Sequence, residues 1–546
     1  MFKIIHWIIF FCLIEAKPQA FDDFYTAINS IDGDSILKHF HFLASDSVQG
    51  RGLGSQGIEI AAKYISNKFQ QYGLKPNPKS NNYFQEIPMH GSLPLNSSEL
   101  KIYNLDSVIT LRYSQDYYLY KAGQQTYIPS PLEMVFVGYG IVAPEYDYND
   151  YQTVDVTGKI VVYLDNEPKS EDPDYFNGQN PTHYSFAEVK RQIALSRGAA
   201  GTIIIPFENY TDWNFVKRDF DLEDINLAYS ITSNLSLIIN PECVNHIFKD
   251  SGYYFEDIVK MYYSHKMKSF ELKTRLSFKG AFKERNFVEK NIIGFIPGVD
   301  TKLKDTYLII SAHYDHLGIG IPVNGDSIYN GALDNAIGVS VLMEIARVFS
   351  KLSVAPKRTV IFIAFTGEEK GLLGSTYYCD NPVFPLYKTI ANVNIDGIAF
   401  FRDFKSIVGV GAQYSSLEDK LLETANRYQL TVEDIPDEFN SITAFTNSDN
   451  YAFALNGVPS ILILEGISNK TKSREEVIEA FIDFYLNRYH TPLDDLNQYI
   501  DIVAAERHAK IIFDFCFSLS NSSIAPEWKK DAPFLKAKLR NIAEKR

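Results

Sequence analysis

Residues of the types that bind metal ions follow several apolar runs of the sequence. LIISAHYDH, IFIAFTGEE and ANVNID each end in such residues, NGALDNAIG carries one at a helix-like start, and YHTPLDD carries another. They are His313, Asp315, His316, Asp334, Glu368, Glu369, Asp396 and His490. Because ionisable groups at the buried ends of apolar strands need partners, this pattern predicts a metal site.

The donor types indicate which metal the site would bind. Imidazole and carboxylate groups without thiolate suit zinc or another borderline divalent ion. Two histidines and three carboxylates exceed what one tetrahedral zinc needs, and they suit two ions about 3.5–4 Å apart that share a bridging carboxylate. Adjacent residues point in different directions, so one of Glu368 and Glu369 could bind metal while the other exchanges a proton with bound water.

The elements that carry these residues predict an α/β fold. From Asn291 onwards, strand-like runs such as YLIISAH, RTVIFIAF, IANVN and PSILIL alternate with helical patterns such as NAIGVSVLMEIARVFSKL. This alternation is typical of a mostly parallel or mixed central sheet flanked by helices, with ligands at the carboxyl ends of the strands. Residues 34–72 also predict helices, and a last long helix is expected over about 496–519.

The chain of 546 residues is too long for one ordinary core, and residues 93–285 differ from the rest. They contain many short strand-like runs, which predict a β-rich inserted module. The predicted organisation is a signal peptide (1–20), an N-terminal part of the main domain (21–107), the insert (108–284), a C-terminal part with the metal site (285–520) and a charged tail (521–546), expected to be a loosely held helix.

Composition and the N-terminus indicate an exported globular protein. A net charge of −14 argues against nucleic acid as a partner. MFKIIHWIIFFCLIEAKPQA has the basic start, the short apolar stretch and the small residues of a secretory signal. This signal predicts a periplasmic, cell-surface or extracellular location. No later run is long enough to span a membrane, so we expect no membrane span in the mature protein. Cys243, Cys379 and Cys516 are expected to be buried, inert thiols.

SAHYDHLG, GALDNAIG, FTGEEKGLLGS, NIDG and YHTPLDD, in this order, resemble the zinc aminopeptidases of metallopeptidase family twenty-eight. LASDSVQGRGLGSQGIEIAAKYI resembles the entry segment of that family. FVGYGIVAPEYDYNDYQTVDVTGKIVVYLDNEP and ALSRGAAGTIII are similar to the protease-associated (PA) domain often inserted in such enzymes. The resemblance implies the zinc exopeptidase fold, which is phosphorylase/hydrolase-like, with a PA-like insert.

The resemblance also implies roles for individual residues. His313 and Asp396 would bind one Zn²⁺, Glu369 and His490 the other, and Asp334 would bridge the two. Glu368 would be the general base, and Asp315 would orient His313, whereas His316 is not expected to be a ligand. NSDNYAF resembles a segment that usually reads Ser-Asp-His, so Asn450 replaces a histidine there. Asp449 and Asn450 are candidate substrate contacts or, equally, an ordinary turn.

The function that this resemblance implies is hydrolysis of N-terminal residues from peptides by a secreted two-zinc aminopeptidase. Three alternatives remain open at this point. One is a glutaminyl cyclase-like acyltransferase with a single zinc. Another is a carboxypeptidase that uses a basic pocket, for which Arg402, Arg474 and Arg488 are candidates. The third is a non-catalytic binding protein.

Overall fold

The computed structural model describes residues 18–121, 126–172, 174–176, 178, 182–207, 213–220, 222–231, 234–398, 400–436, 439 and 445–545. Most of the predicted signal peptide therefore lies outside the described residues. The described chain forms two compact units. Unit 1 comprises residues up to Ile87 and from Val288 onwards, and unit 2 comprises Pro88–Phe287. The predicted insert, 108–284, lies within unit 2, which also includes residues 88–107 and 285–287.

The described α-helices are α1 (Pro18–Asn29), α2 (Gly33–Leu43), α3 (Gln56–Gln71), α4 (Ala187–Ser196), α5 (Trp213–Phe220), α6 (Val244–Phe248), α7 (Phe255–Tyr263), α8 (Ile337–Ser350), α9 (Leu373–Asp380), α10 (Leu417–Arg427), α11 (Asn450–Leu455), α12 (Arg474–Asn487), α13 (Ile502–Asn521) and α14 (Leu535–Glu544). The helices predicted over 34–72 are confirmed as α2 and α3. The last long helix, expected from Leu496, begins only at Ile502, because Asp501 caps it by accepting the N–H groups of Val503 and Ala504.

The described strands are β1 (Lys75–Pro76), β2 (Phe84–Pro94), β3 (Glu99–Tyr103), β4 (Val108–Leu111), β5 (Tyr117–Lys121), β6 (Tyr127–Val137), β7 (Val142–Ala143), β8 (Tyr148–Asn149), β9 (Ile160–Leu164), β10 (Gly201–Ile205), β11 (Asp224–Leu227), β12 (Leu235–Ile239), β13 (Ser269–Lys279), β14 (Phe282–Ile296), β15 (Tyr307–His313), β16 (Gly318–Val323), β17 (Asp326–Tyr329), β18 (Thr359–Phe365), β19 (Thr389–Asn394), β20 (Ser406–Val410), β21 (Thr431–Glu433) and β22 (Ser460–Glu465).

The sheet of unit 1 is mixed, with strand order β14-β18-β15-β19-β22-β20-β21. Its centre is parallel, since β15 pairs in parallel with both β18 and β19, and β19 pairs in parallel with β22. The strands β14 and β20 run antiparallel to their neighbours β18 and β22. The predicted α/β class with a mostly parallel or mixed sheet is therefore confirmed.

Helices cover both faces of this sheet, because neighbouring residues of a strand point to opposite sides. Phe362 of β18 packs against Phe69 of α3 and Phe349 of α8. Ile361 and Ile363 belong instead to a buried cluster with side chains of α9 and α11. Apolar runs buried on both faces explain why the strands of this sheet lack polar alternation.

Residues 521–545 are packed into unit 1, contrary to the expectation of a loosely held helix. Trp528 is 7% exposed, and its indole N–H donates to the backbone oxygen of Gly457 at 2.9 Å. Phe534 contacts the rings of Tyr414, Tyr451 and Trp528. Burial of the aromatic side chains stabilises this packing despite the lysines nearby in the chain, because burying one aromatic side chain contributes about 1.5–3 kcal/mol.

Unit 2 has its own sheet, in the order β4-β3-β13-β6-β9-β10-β12-β5. The strands β6, β9, β10 and β12 are parallel to one another, and the flanking pairs are antiparallel. Buried apolar side chains from the strands and helices of this unit form one large core cluster. Unit 2 is thus β-rich, as predicted, and its likeness to a PA domain stays a prediction. Cys243, Cys379 and Cys516 are buried, as predicted, and form no disulfide in the described part of the chain. None of the described helices is long and apolar enough to cross a membrane.

Candidate metal centre

The candidate ligands meet at the edge of the unit 1 sheet where its central strands end. His313 is the last residue of β15, and Asp396 follows β19 by two residues. Glu368 and Glu369 form a short 3₁₀ turn after β18. Because β18 and β19 flank β15 in parallel, their carboxyl ends bring these side chains to one place.

Asp334 lies between two histidines that are far apart in sequence. Its Oδ1 is 3.2 Å from His313 Nε2, and its Oδ2 is 3.4 Å from His490 Nε2. His313 Nε2 is also 3.3 Å from Asp396 Oδ1. His490 Nε2 is 2.9 Å from Glu369 Oε2. Each carboxylate oxygen of Asp334 therefore faces a different group of donors.

The contacts of His490 fit a candidate metal ligand better than a hydrogen-bonded imidazole. Its Nε2 is close to two carboxylate oxygens, yet neither contact has the geometry of a hydrogen bond. The Oδ2 atom of Asp334 is likewise buried without a hydrogen-bond partner. Buried polar atoms that crowd together without bonding to one another fit ligands that share a cation.

Electrostatics agree with this assignment. Although burial lowers it, the Glu368 and Asp396 carboxylates raise the pKa of His313 well above its usual value. Burial opposes the shift at His490 as well, but Glu369 raises that pKa to about 10. A site that draws protons this strongly to its imidazoles has a negative potential that would attract a divalent cation. The residues present therefore fit a metal centre.

Glu368 and Asp315 lie beside the ligands. His313, Glu368 and Asp396 offer ligand-type atoms within 4.8 Å of one another. Burial raises the pKa of Glu368 well above its usual value. Asp315 is fully buried and accepts the backbone N–H groups of Glu368 at 3.1 Å and of Glu369 at 3.3 Å. Its Oδ1 is 3.7 Å from His313 Nδ1, so it faces the imidazole nitrogen opposite the ligand atom.

His316, which was not expected to be a ligand, lies within the site. Its Nδ1 contacts Glu369 Oε1 at 2.5 Å and lies 3.9 Å from Asp334 Oδ2. The expectation that His316 is not a ligand stays a prediction, and sequence reasoning did not foresee its contact with Glu369. In this arrangement His316 restrains the side chain of Glu369.

Asp494 and Asn335 hold the ligand-bearing loops in place. Asp494 accepts the backbone N–H groups of Leu333 at 2.9 Å and of Asp334 at 3.0 Å. Asn335 donates to the backbone oxygen of Ile395 at 2.9 Å and accepts the N–H of Gly397 at 3.1 Å. The side-chain amide of Asn335 therefore holds the residues on both sides of Asp396, Ile395 and Gly397, in place.

A buried chain of hydrogen bonds ends on Asp396. Asn392 donates to Ser311 at 2.9 Å, Ser311 to Asn394 at 2.7 Å, Asn394 to Ser448 at 2.8 Å, and Ser448 to Asp396 Oδ2 at 2.7 Å. Each hydroxyl accepts one hydrogen bond and donates one. This chain orients the carboxylate of Asp396, leaving its Oδ1 towards His313.

The candidate substrate contacts are both buried. Asp449 is 0% exposed, neither of its carboxylate oxygens has a hydrogen-bond partner among the described residues, and burial raises its pKa to about 7. Asn450 is also 0% exposed and begins α11. A role for either residue in binding substrate stays a prediction.

Sequence reasoning missed four residues that support the site: Arg51, Asn335, Ser448 and Asp494. Three of them stand next to a recognised candidate or in its motif, since Asn335 follows Asp334, Ser448 precedes Asp449, and Asp494 lies in YHTPLDD. Arg51 lies in the entry segment, and its residue type alone carried no signal for a role at a metal site.

Comparison with known proteins agrees with this geometry. Residues 291–516, which include every candidate ligand, match the family model for peptidase family M28. This segment is a peptidase family M28 domain. A probable zinc metalloprotease of Pyrenophora teres f. teres is 25% identical to this chain over 230 residues, 41% of this chain and 47% of that protein. Aminopeptidase YwaD of Bacillus subtilis is 29% identical over 212 residues, 39% of this chain and 40% of that protein.

The matches thus cover less than half the length of these curated relatives. Among solved structures, an aminopeptidase from Aneurinibacillus sp. strain AM-1 has a TM-score of 0.53 and 20% sequence identity. That similarity covers 93% of this chain and 97% of the other. At this identity it shows only that this chain shares the fold of that aminopeptidase.

Proposed function

We propose that this protein is an aminopeptidase that uses two Zn²⁺ ions and Glu368 as general base to release N-terminal residues from peptides. The observation that carries the proposal is the position of Asp334, whose two carboxylate oxygens face His313 and His490 separately. A carboxylate placed in this way suits a bridge between two ions. The names of the M28 relatives, zinc metalloprotease and aminopeptidase, support the same assignment.

The contacts support the ligand sets that the family resemblance implies. His313 and Asp396 would hold one ion, Glu369 and His490 the other, and Asp334 both. Zinc bound there would polarise the scissile carbonyl and lower the pKa of a bound water towards about 7.

The protein's own groups would carry the proton. A carboxylate oxygen of Glu368 lies within 4.8 Å of ligand-type atoms of His313 and Asp396. This position supports a role in accepting a proton from a water held at the centre. Burial raises the pKa of Glu368, which makes the carboxylate a stronger base towards that proton. The protonated group could then pass the proton to the departing amine. Asp315 fixes the backbone of Glu368, and therefore the position from which the carboxylate acts.

We also propose that the chain is exported. The basic start, short apolar stretch and small residues of residues 1–20 support this proposal. Fractionation of cells expressing the full sequence, with N-terminal sequencing of the product, tests the proposal. A product that retains Met1 and stays in the cytoplasm would contradict it.

The decisive test of activity is mass spectrometry of one defined peptide, blocked or free at either end, after incubation with zinc-loaded protein. We expect a ladder that shortens from the free N-terminus. Loss from the C-terminus would indicate the carboxypeptidase instead. Arg402 and Arg488 already have carboxylate partners in Asp501 and Asp483, which leaves that alternative less support. Loss of ammonia from an N-terminal glutamine, with one zinc bound, would indicate the cyclase.

The assignment of the base is tested with Glu368→Gln. The variant should keep both zinc ions and lose most of its turnover, because an amide cannot accept the proton. Glu344→Gln is a control, since Glu344 is buried in α8 and pairs with Arg347. That control should lower stability yet keep the zinc content and turnover of its folded fraction. If Glu368→Gln were fully active, another residue would be the base.

A further inference from the structure

Arg51 is a fully buried arginine whose guanidinium bonds to backbone oxygens of three chain segments. Its Nε donates to Tyr314 at 2.7 Å, and its terminal nitrogens donate to Asn330 at 2.6 Å and Gly331 at 2.9 Å. A terminal nitrogen also donates to the backbone oxygen of Leu43, at the end of α2. Four carbonyls thus converge on one side chain.

Three of these carbonyls, those of Tyr314, Asn330 and Gly331, belong to the two loops that carry ligands of the proposed zinc centre. Tyr314 stands between His313 and Asp315, and Gly331 lies three residues before Asp334. The backbone oxygen of Arg51 also accepts the N–H of His316 at 3.3 Å. One residue from the N-terminal part of the chain therefore connects both loops.

The backbone around Arg51 is shaped for this contact. Gln49, Gly50 and Arg51 all have positive φ, at 50°, 64° and 51°. A Cβ atom at Gly50 would lie 2.3 Å from the backbone oxygen of Tyr329 and 2.5 Å from that of Gly318. Residues other than glycine rarely adopt such φ values without support, so tertiary contacts must hold this segment in place.

The charge of Arg51 also faces the site. Burial lowers its pKa to about 10, while Asp315, Asp334, Asp494 and Glu369 act in the opposite direction. The guanidinium thus stays protonated at neutral pH among several carboxylates. Its planar arrangement of donors cannot be reproduced by the single ammonium nitrogen of a lysine.

We propose that Arg51 is a positioning residue of the metal centre: it sets the spacing between the loop carrying His313 and the turn carrying Asp334. The inference rests on the proposed two-zinc site. Arg51 touches none of the ligand side chains in these contacts, so it acts through the backbone that holds them. This spacing requires the several planar donors of the guanidinium group and not only its positive charge.

The test compares Arg51→Met, Arg51→Lys and a matched control, Arg358→Met. Arg358 is also buried and bonds to backbone oxygen, donating to Ser522 from Nε at 3.2 Å and from a terminal nitrogen at 3.0 Å. It precedes β18, so it lies at the end of that strand opposite Glu368. Zinc affinity is measured on folded protein by competition with a chelator, and thermal unfolding is measured in the presence of EDTA.

We expect both Arg51 variants to bind at least one zinc ion about 10- to 100-fold more weakly, as is usual when a group that orients metal ligands is lost. Arg358→Met should unfold at a lower temperature and keep wild-type zinc affinity. Wild-type affinity in Arg51→Lys would overturn the need for the guanidinium fork, and this variant decides the comparison if Arg51→Met fails to fold. Wild-type affinity in Arg51→Met, or an equal loss in Arg358→Met, would overturn the positioning role.

A wild-type protein that binds no zinc would contradict the proposed function itself, and with it this inference. A wild type that binds two ions, with unchanged affinity in the Arg51 variants, would contradict the inference alone. The two failures are therefore distinguishable from the same set of titrations.

Discussion

Replacing Asp494 by asparagine should disable the metal centre without touching a ligand. Asp494 is 0% exposed, and its two carboxylate oxygens accept the N–H groups of Leu333 and Asp334. Its backbone oxygen accepts the N–H of Ala332 at 3.0 Å. Asparagine has almost the same shape, but it exchanges one acceptor oxygen for an NH₂ group, which would then face a backbone N–H.

The cost can be worked out from these contacts. A hydrogen bond to a charged acceptor contributes about 1.5–3 kcal/mol, and a buried donor left without an acceptor costs about 1–3 kcal/mol. Partial relaxation of the loop reduces the sum, so a loss of about 3 kcal/mol is a reasonable expectation for Asp494→Asn. If the loss falls on the conformation that binds zinc, the affinity drops roughly 100-fold.

The assay is zinc competition with a chelator, combined with peptide hydrolysis at saturating zinc. Asp495→Asn is the matched control, because Asp495 accepts from Asn497 within its own turn, at 2.9 and 2.6 Å. The control should bind zinc like the wild type. If Asp494→Asn also binds zinc and hydrolyses peptide like the wild type, the Asp334 turn does not depend on these two hydrogen bonds.

Three further perturbations test the fold around the site. Burial lowers the pKa of His39 to about 4, whereas a value of about 6.5 is expected in the unfolded chain. As the pH falls, the unfolded state therefore takes up a proton before the folded state does. Stability should therefore fall as pH drops from about 6.5 to 4, by up to about 3 kcal/mol, and His39→Gln should remove this contribution to urea unfolding. Gly331→Ala should lower the thermal unfolding temperature, because φ is 57° there and a Cβ atom would lie 2.2 Å from the backbone oxygen of Asp334. Trp528→Ala should cost about 3–5 kcal/mol in urea unfolding, as is typical of buried aromatic residues.

Each of these expectations has a result that would contradict it. An unchanged pH dependence in His39→Gln would show that another group titrates. Gly73→Ala is the control for Gly331→Ala, because φ is 79° at Gly73 but no atom lies within 4 Å of the added Cβ. If the two substitutions had equal effects, backbone strain at positive φ, and not the close contact with Asp334, would be the cause. A negligible effect of Trp528→Ala would mean that residues 521–545 add little to the stability of unit 1.

The sequence alone predicted the ligand-bearing strands well, and the reason is physical. Strands buried on both faces are continuous apolar runs, and polar residues such as His313 and Glu369 stand out where the runs end. The same pattern predicted that Asp396 lies at the site, since neighbouring parallel strands end at one edge of the sheet.

The supporting residues were harder to predict, because their contacts are with backbone atoms far away in the chain. Arg51 and Asn330 are 279 positions apart, and Asp494 and Leu333 are 161 apart. A backbone carbonyl has no side-chain identity that a sequence pattern could reveal. The tail was misjudged for a related reason: its lysines dominate the composition, whereas Trp528 and Phe534 determine its packing.

The contact between Arg51 and the loops after β15 has a consequence for how the protein forms during synthesis. Unit 2 is continuous in sequence, so it can fold as soon as Phe287 has left the ribosome, whereas the N-terminal part of unit 1 must wait for partners from beyond Val288. At roughly 5–20 residues per second, synthesis of the intervening 200 or so residues takes about 10–40 s. During that interval α2 and α3 expose the apolar faces that later pack in unit 1. We therefore expect nascent chains that end shortly after Phe287 to show a protease-resistant unit 2 and a protease-sensitive N-terminal segment.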